Sequence, residues 1–254
     1  MNAHADEDLW IRRFHPAPEA ATRLVCLPHA GGSASFYFPV SRALAPAIDV
    51  LAVQYPGRQD RRTEPCLDNI ADLADEVTER LLPWTDRPLA IFGHSMGATL
   101  AFEVALRLEQ RDITLQSLFA SGRRAPSRHR EETAHLYDDA ALVREIKALN
   151  GTESQTLDDE EMLRAVLPAI RSDYRAAETY RYQPGPPLNC PVYAMIGESD
   201  PKVSIDEARS WVDHTLGRFE LQTYPGGHFY LNAQAPRIIA AISQAVSATS
   251  GTGV

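Results

Sequence analysis

The sequence predicts an α/β fold: a mostly parallel central sheet with helices on both faces and a helical lid inserted late in the chain. Three observations predict it. Short, continuously apolar runs recur along the chain with helix-period segments between them, the pattern of strands buried on both faces. An apolar run at 88–92, the pentapeptide Gly93-His94-Ser95-Met96-Gly97 and a second apolar stretch at 98–106 follow one another, reading as strand, sharp turn and buried helix. Between 125 and 187 the alternation stops, and only helical patterns appear.

The expected strands lie at 24–28, 50–55, 89–92, 117–120, 192–196 and 219–223, each bounded by turn residues. Ile70, Leu73, Val77 and Leu81 recur at three- and four-residue steps and predict one amphipathic helix. In the insertion, Leu142, Ile146 and Leu149 mark a short helix. Leu163, Val166, Leu167, Ile170, Tyr174 and Ala177 mark a longer one, opened by a capping box at Asp158 and Glu161. The polar connector 150–156 is expected to be mobile, as lids over strand ends often are. A last helix begins near Ala233 and carries Ile238, Ile239, Ile242 and Val246. The organisation is thus core 1–124, lid 125–187, core 188–247 and a flexible tail 248–254.

Composition narrows the class of function. The chain has 254 residues, 44% of them hydrophobic, which is ample for a packed core, and a net charge of −9. An acidic surface disfavours nucleic acid and anionic membranes as partners. No stretch approaches the roughly 20 apolar residues of a membrane span, and the polar N-terminus has no signal-peptide pattern. Three widely spaced cysteines, Cys26, Cys66 and Cys190, suit a reducing cytoplasm better than a disulfide framework. No Cys-x-x-Cys pair, P-loop or dinucleotide fingerprint is present, and the acidic run 131–161 lacks histidines at ligand spacing. No metal or cofactor is expected.

Ser95 in the strand–turn–helix context is a candidate nucleophile, with the backbone N–H of Met96 as a candidate oxyanion donor. A serine nucleophile needs a base, and the base an orienting acid. The run 192–196 leads into Gly197-Glu198-Ser199-Asp200-Pro201, and 219–223 leads into Tyr224-Pro225-Gly226-Gly227-His228. His228, after two glycines, is the candidate base. Asp200 and Glu198 compete as the acid, and Asp200 is preferred because Asp-Pro initiates a turn at the loop apex. The glycine-rich loop Pro28-His29-Ala30-Gly31-Gly32-Ser33 supplies a second oxyanion donor, assigned to Ala30.

Together these residues resemble the type II thioesterases of polyketide and nonribosomal peptide synthase clusters. The resemblance runs from Trp10-Ile11-Arg12-Arg13-Phe14 through Leu27-Pro28-His29-Ala30-Gly31-Gly32-Ser33, Gln54-Tyr55-Pro56-Gly57-Arg58 and the Ser95 pentapeptide. It continues in Asp173-Tyr174, Thr179-Tyr180, Cys190-Pro191-Val192 and Pro225-Gly226-Gly227-His228-Phe229-Tyr230-Leu231. It implies an α/β-hydrolase fold with a helical lid, a triad of Ser95, Asp200 and His228, and oxyanion donors at Ala30 and Met96. The implied substrate is an acyl group on the phosphopantetheine arm of an acyl or peptidyl carrier protein. The implied role is clearing stalled or misprimed units; a monomer is expected. A fatty acyl-carrier-protein hydrolase or carboxylesterase, and a non-catalytic carrier-binding scaffold, are the competing readings.

Arginines cluster after two of the strands, Arg58, Arg61 and Arg62 after one and Arg123, Arg124, Arg128 and Arg130 after another, whereas the chain has only two lysines, Lys147 and Lys202. Guanidinium groups suit phosphates and carboxylates. Arg58, Arg123 and Arg124 are therefore expected to dock the carrier protein or its phosphate, and Lys202 to be exposed to solvent.

Overall fold

A computed structural model describes residues 9–149 and 160–249. Its sheet has seven strands: β1 Ile11–Arg12, β2 Arg23–Leu27, β3 Asp49–Val53, β4 Leu89–His94, β5 Ser117–Ser121, β6 Val192–Gly197 and β7 Phe219–Tyr224. They lie in the order β1-β3-β2-β4-β5-β6-β7. All neighbours pair in parallel except β1, which runs antiparallel to β3 with Ile11 opposite Val53. The expected fold class is the observed one.

The helices are α1 Phe38–Leu44, α2 Ile70–Leu81, α3 Met96–Glu109, α4 Asp139–Ala148, α5 Glu160–Thr179, α6 Ile205–Arg209, α7 Tyr230–Ala233 and α8 Ala235–Thr249. The strand residues divide strictly by parity between two cores. Val25, Leu27, Leu51, Val53 and Ile91 pack under α2 and α3. Leu24, Cys26, Val50, Ala52 and Phe92 pack under α1 and α8. This is why the strands read as unbroken apolar runs: both faces are covered, so neither parity is free to be polar. α2 keeps one stripe buried and is capped by the Asn69 side chain, which accepts from the Asp72 N–H. α3 is buried nearly all round and is the central helix of its layer.

Four features differ from the sequence reading or lie beyond it. β1 is only two residues long, too short to leave a period in the sequence. The last helix is preceded by the separate turn α7, and it runs on to Thr249, into the segment expected to be a flexible tail. Residues 250–254 lie outside the described residues. So do Asp158, the connector 150–156 and the Glu161 side chain. Among the described residues no helix is long and apolar enough to cross a membrane.

Parallel strands deliver the loops after β2, β3, β4, β5, β6 and β7 to one edge of the sheet. The tightest junction is β4 to α3. A Cβ on Gly93 would lie 2.0 Å from the Gly97 carbonyl oxygen, and one on Gly97 would lie 2.2 Å from the Leu27 oxygen. Both clashes are with backbone, so no side-chain rotation relieves them. Gly93→Ala and Gly97→Ala are each expected to cost about 2 kcal/mol or more, the upper range for overpacking. Urea unfolding checks this; a wild-type midpoint in either variant would contradict it.

Candidate active site

Ser95 sits between β4 and α3 with φ 55° and ψ −117°, a backbone conformation that non-glycine residues avoid. The strain is held by the two glycine contacts and by a hydrogen bond from the Ser95 N–H to the Ser121 carbonyl at 2.8 Å. The side chain therefore projects off the sheet edge.

His228 Nε2 stands 3.0 Å from Ser95 Oγ. Its Nδ1 stands 2.9 and 3.0 Å from the two Asp200 carboxylate oxygens. The Asp200 side chain is buried, and Oδ1 also accepts from the Lys202 N–H at 2.8 Å. Glu198, the rival acid, is exposed. The acid and histidine loops are knitted together: Glu198 N–H donates to the Tyr224 oxygen at 2.8 Å and Ser199 N–H to the Gly226 oxygen at 2.9 Å. Gly226 adopts φ 127°, and a Cβ on Gly197 would lie 2.2 Å from the Gly227 oxygen. Glycine is thus required on both sides of this crossing.

Met96 is the first residue of α3, where N–H groups have no helical acceptor and the helix dipole is positive. Ala30 lies in the loop after β2 and lines the same cavity as Ser95 and Met96. Neither amide donates to an acceptor among the described residues. The loop carrying Ala30 is held from an unexpected direction. Asp173, on α5, is fully buried, and its Oδ2 accepts from the Gly31 N–H at 2.7 Å. The same carboxylate pairs with Arg58, Nη1 to Oδ2 at 2.7 Å and Nη2 to Oδ1 at 2.9 Å. Arg58 Nη1 reaches the Gly32 oxygen at 3.1 Å as well. Burial opposes the Arg58 charge, but the Asp173 charge and hydrogen bonds outweigh it and raise the pKa above the ordinary arginine value.

This corrects the docking expectation for two of the three arginines. Arg58 is buried in its pair with Asp173, and Arg124 is buried against Glu132 and the Lys202 carbonyl. Their charge is consumed inside the protein. Arg123 is half-buried, with Nε on Thr99 Oγ1 at 3.0 Å and Nη2 on the Ala177 oxygen at 3.1 Å. Lys202 is not solvent-exposed as expected; its Nζ donates to Glu145 at 2.6 Å and to Glu132 at 3.3 Å. Asp173 was given no role in the sequence reading, although a signal existed. It falls on the apolar stripe of α5, three residues after Ile170 and four before Ala177, where a carboxylate is out of place unless it has a buried partner.

A cavity of about 110 Å³ opens beside Ser95 and His228. Its lining includes the apolar side chains of Ile146, Leu149, Val166 and Ile170 and the polar ones of Arg123, Glu132, Tyr174, Glu178 and Lys202. Among the described residues no cluster of side chains suits a metal ion.

Behind the site, His94 is fully buried, with Nδ1 2.9 Å from Ser121 Oγ, which in turn lies 2.7 Å from the Tyr230 hydroxyl. This chain links the Ser95 turn to the His228 loop. Burial, then the neighbouring His228 and His29, hold the His94 pKa well below its ordinary value. His94 therefore stays neutral 5.0 Å from the His228 ring.

Two consequences are measurable. Asp173→Ala leaves the Arg58 guanidinium buried and uncompensated and is expected to cost about 3–5 kcal/mol in denaturant unfolding; Arg58→Met in the same chain should recover part of that loss. A cost under 1 kcal/mol would contradict the brace. For His94, the unfolded chain takes up a proton near pH 6.5 that the folded chain refuses, so stability is full above pH 6.5 and falls as the pH drops below it. The fall attributable to this residue is at most about 1.4 kcal/mol per pH unit. Unfolding of His94→Gln at pH 7.5, 6 and 5 should show a correspondingly shallower slope, and parallel slopes would contradict the assignment.

The family model described as "Thioesterase domain" matches residues 22–246. The chain is 52% identical over 250 residues to thioesterase PikA5 of Streptomyces venezuelae, covering 98% of this chain and 89% of that protein. Among solved structures it is similar to the type II thioesterase BorB from the borrelidin biosynthetic cluster, with 54% identity, a TM-score of 0.90, and coverage of 94% of this chain and 98% of that one. It is also similar to YbtT, the type II thioesterase of the yersiniabactin pathway, with 30% identity, a TM-score of 0.85, and coverage of 94% and 99%. With its fold, its strained serine turn and these matches together, the chain belongs to the thioesterase domain family.

Proposed function

We propose that this thioesterase releases acyl groups from the phosphopantetheine arm of acyl or peptidyl carrier proteins, clearing stalled or misprimed units during polyketide or nonribosomal peptide assembly. The observation that carries the chemistry is the hydrogen-bonded line from Ser95 Oγ through the His228 ring to Asp200. The carrier-protein substrate is supported by the type II thioesterases of such clusters to which the chain is similar.

In this reading His228 Nε2 takes the proton of Ser95 as Oγ attacks the thioester carbonyl. Asp200 holds the ring with Nδ1 protonated and stabilises the imidazolium that forms. The N–H groups of Met96 and Ala30 receive the oxyanion; one such donor was worth about 3–4 kcal/mol in another hydrolase. Collapse of the tetrahedral adduct breaks the C–S bond, and the pantetheine sulfur leaves with the proton from His228. Water then gives its proton to His228 Nε2 and attacks the Ser95 ester, and the second collapse frees the acid and restores Oγ–H. Neutral His94 matters here, because a second positive charge 5.0 Å from His228 would raise the energy of the imidazolium.

Residues 125–187 act as the lid, with 1–124 and 188–247 as the core. The lid's apolar residues shape the acyl pocket, and Glu132, Tyr174 and Glu178 add polar groups to its lining.

The test is a substrate panel of acyl carrier proteins, acyl-CoAs and nitrophenyl esters compared by kcat/KM. Acyl carrier proteins should lead by tenfold or more, and Ser95→Ala should lose at least about 10⁴-fold on all of them. A preference for oxygen esters would favour the carboxylesterase reading. Full hydrolysis by Ser95→Ala would remove the nucleophile assignment.

A further inference from the structure

Between the triad acid and the inserted helices stands Lys202, a residue the hydrolytic steps do not use. It follows Asp200 by two positions and is held at each of its polar groups. Its N–H donates to Asp200 Oδ1 at 2.8 Å, and its carbonyl accepts from Arg124 Nη1 at 3.3 Å. Its ammonium donates to Glu145 Oε1 at 2.6 Å and to Glu132 Oε1 at 3.3 Å. Burial opposes the ammonium charge, but the hydrogen bond to Glu145 and the two carboxylates outweigh it and raise the pKa. An ammonium suits this place. Its rotatable donors can turn to two carboxylates on separate segments, whereas a planar guanidinium is built for one.

The two carboxylates belong to different parts of the insertion. Glu132 lies on its first arm, which is fixed to the core by other bonds. Arg130 pairs with Glu207 of α6 and donates to the Pro201 carbonyl at 3.1 Å. The Ala125 N–H donates to the Glu207 carbonyl at 3.1 Å, and Arg128 Nε to Ser210 Oγ at 2.8 Å. Glu145 lies on α4, whose apolar and N-terminal contacts run to the insertion itself. Leu142 of α4 is buried with Ala134, Leu167 and Ile170, and Asp139 pairs with Arg171 of α5. The bond from Lys202 to Glu145 thus joins α4 to the core loop that bears the triad acid. It does so one residue before Ile146 and four before Leu149, and both of these line the cavity with Ser95 and His228.

We propose that Lys202 is a positioning residue for the hydrolysis: through Glu145 it sets where α4, with Ile146 and Leu149, stands relative to Ser95 and His228. This rests on the reading of Ser95 as the nucleophile and of the cavity beside it as the acyl pocket. The two contacts of Lys202 separate by atom. Its backbone N–H serves Asp200 and survives any substitution of the side chain except proline. Loss of the ammonium therefore loosens the pocket and leaves the triad in place. The side chains of Lys202 and Glu145 are 21% and 30% exposed, so the tie is moderate and its loss is read as a change of a few-fold.

The experiment is a double-mutant cycle of Lys202→Met and Glu145→Gln in the full chain. Neither variant leaves a buried charge alone. Glu132 keeps Arg124 when the ammonium is removed, and Lys202 keeps Glu132 when Glu145 is neutralised. Amide hydrogen exchange across α4 should quicken about three- to fivefold in each single variant and no further in the double, while α6 exchanges as in the wild type. With hexanoyl-pantetheine, each single variant should raise KM about threefold, and the double no more than the larger single. The kcat and the pH dependence of kcat/KM should stay as in the wild type, and Lys202→Arg should keep part of the wild-type KM. Unchanged exchange across α4 in Lys202→Met would overturn the proposal, as would single effects that multiply in the double. Equal quickening in α6 would reduce the effect to a loss of overall stability, and a fall in kcat at constant KM would move it to Asp200; either overturns it. Hydrolysis that persists in Ser95→Ala would instead overturn the nucleophile assignment on which the proposal rests.

Discussion

The carboxylate of Asp173 is the contact on which the site's geometry depends most. It joins three segments that are distant in sequence: α5, on which it sits, the loop after β2 through Gly31, and the loop after β3 through Arg58. A buried ion pair of this kind adds little net stability over an apolar replacement, because both charges lose their hydration. Its value lies in geometry. By accepting the Gly31 N–H, it orients the peptide that follows Ala30, and by pairing with Arg58, which also holds the Gly32 carbonyl, it closes the turn from the other side. The inserted helices are thus connected directly to the backbone whose amide is proposed to meet the oxyanion.

A second constraint is steric. The serine turn is strained, and the strain is sustained by contacts that admit nothing larger than glycine at 93 and 97. Burial of His94 serves the same end from below, joining the turn to Ser121 and Tyr230 while remaining uncharged. The site therefore stores its precision in backbone packing and in one buried polar chain.

The fold was legible because its signals are local. Each central strand is short, apolar and bounded by turn residues, and the two-faced burial of the sheet makes the runs continuous. Ser95, His228 and Asp200 were legible because each ends a strand in the order this topology requires, and the structure brings their side chains within hydrogen-bonding distance. The arginines were misread because sequence shows charge but not its partner. Arg58 and Asp173 are 115 positions apart, and Arg124 and Lys202 are satisfied by Glu132 and Glu145 of the insertion. The strand β1 escaped for a different reason: two residues carry no period, and its pairing with β3 is decided by tertiary contact.

The family is established by the matches, and the account of mechanism stands on how the inserted helices and the oxyanion loop are joined. Single-turnover acylation of Ser95 by an acyl-pantetheinyl carrier protein, in the wild type and in Asp173→Asn, tests that join most directly. The account predicts a saturating acylation rate about 10–100-fold lower in the variant, in keeping with a misplaced oxyanion donor, with half-saturation changed less than about threefold. An unchanged saturating rate with a raised half-saturation would contradict it, and would make Asp173 a determinant of binding alone.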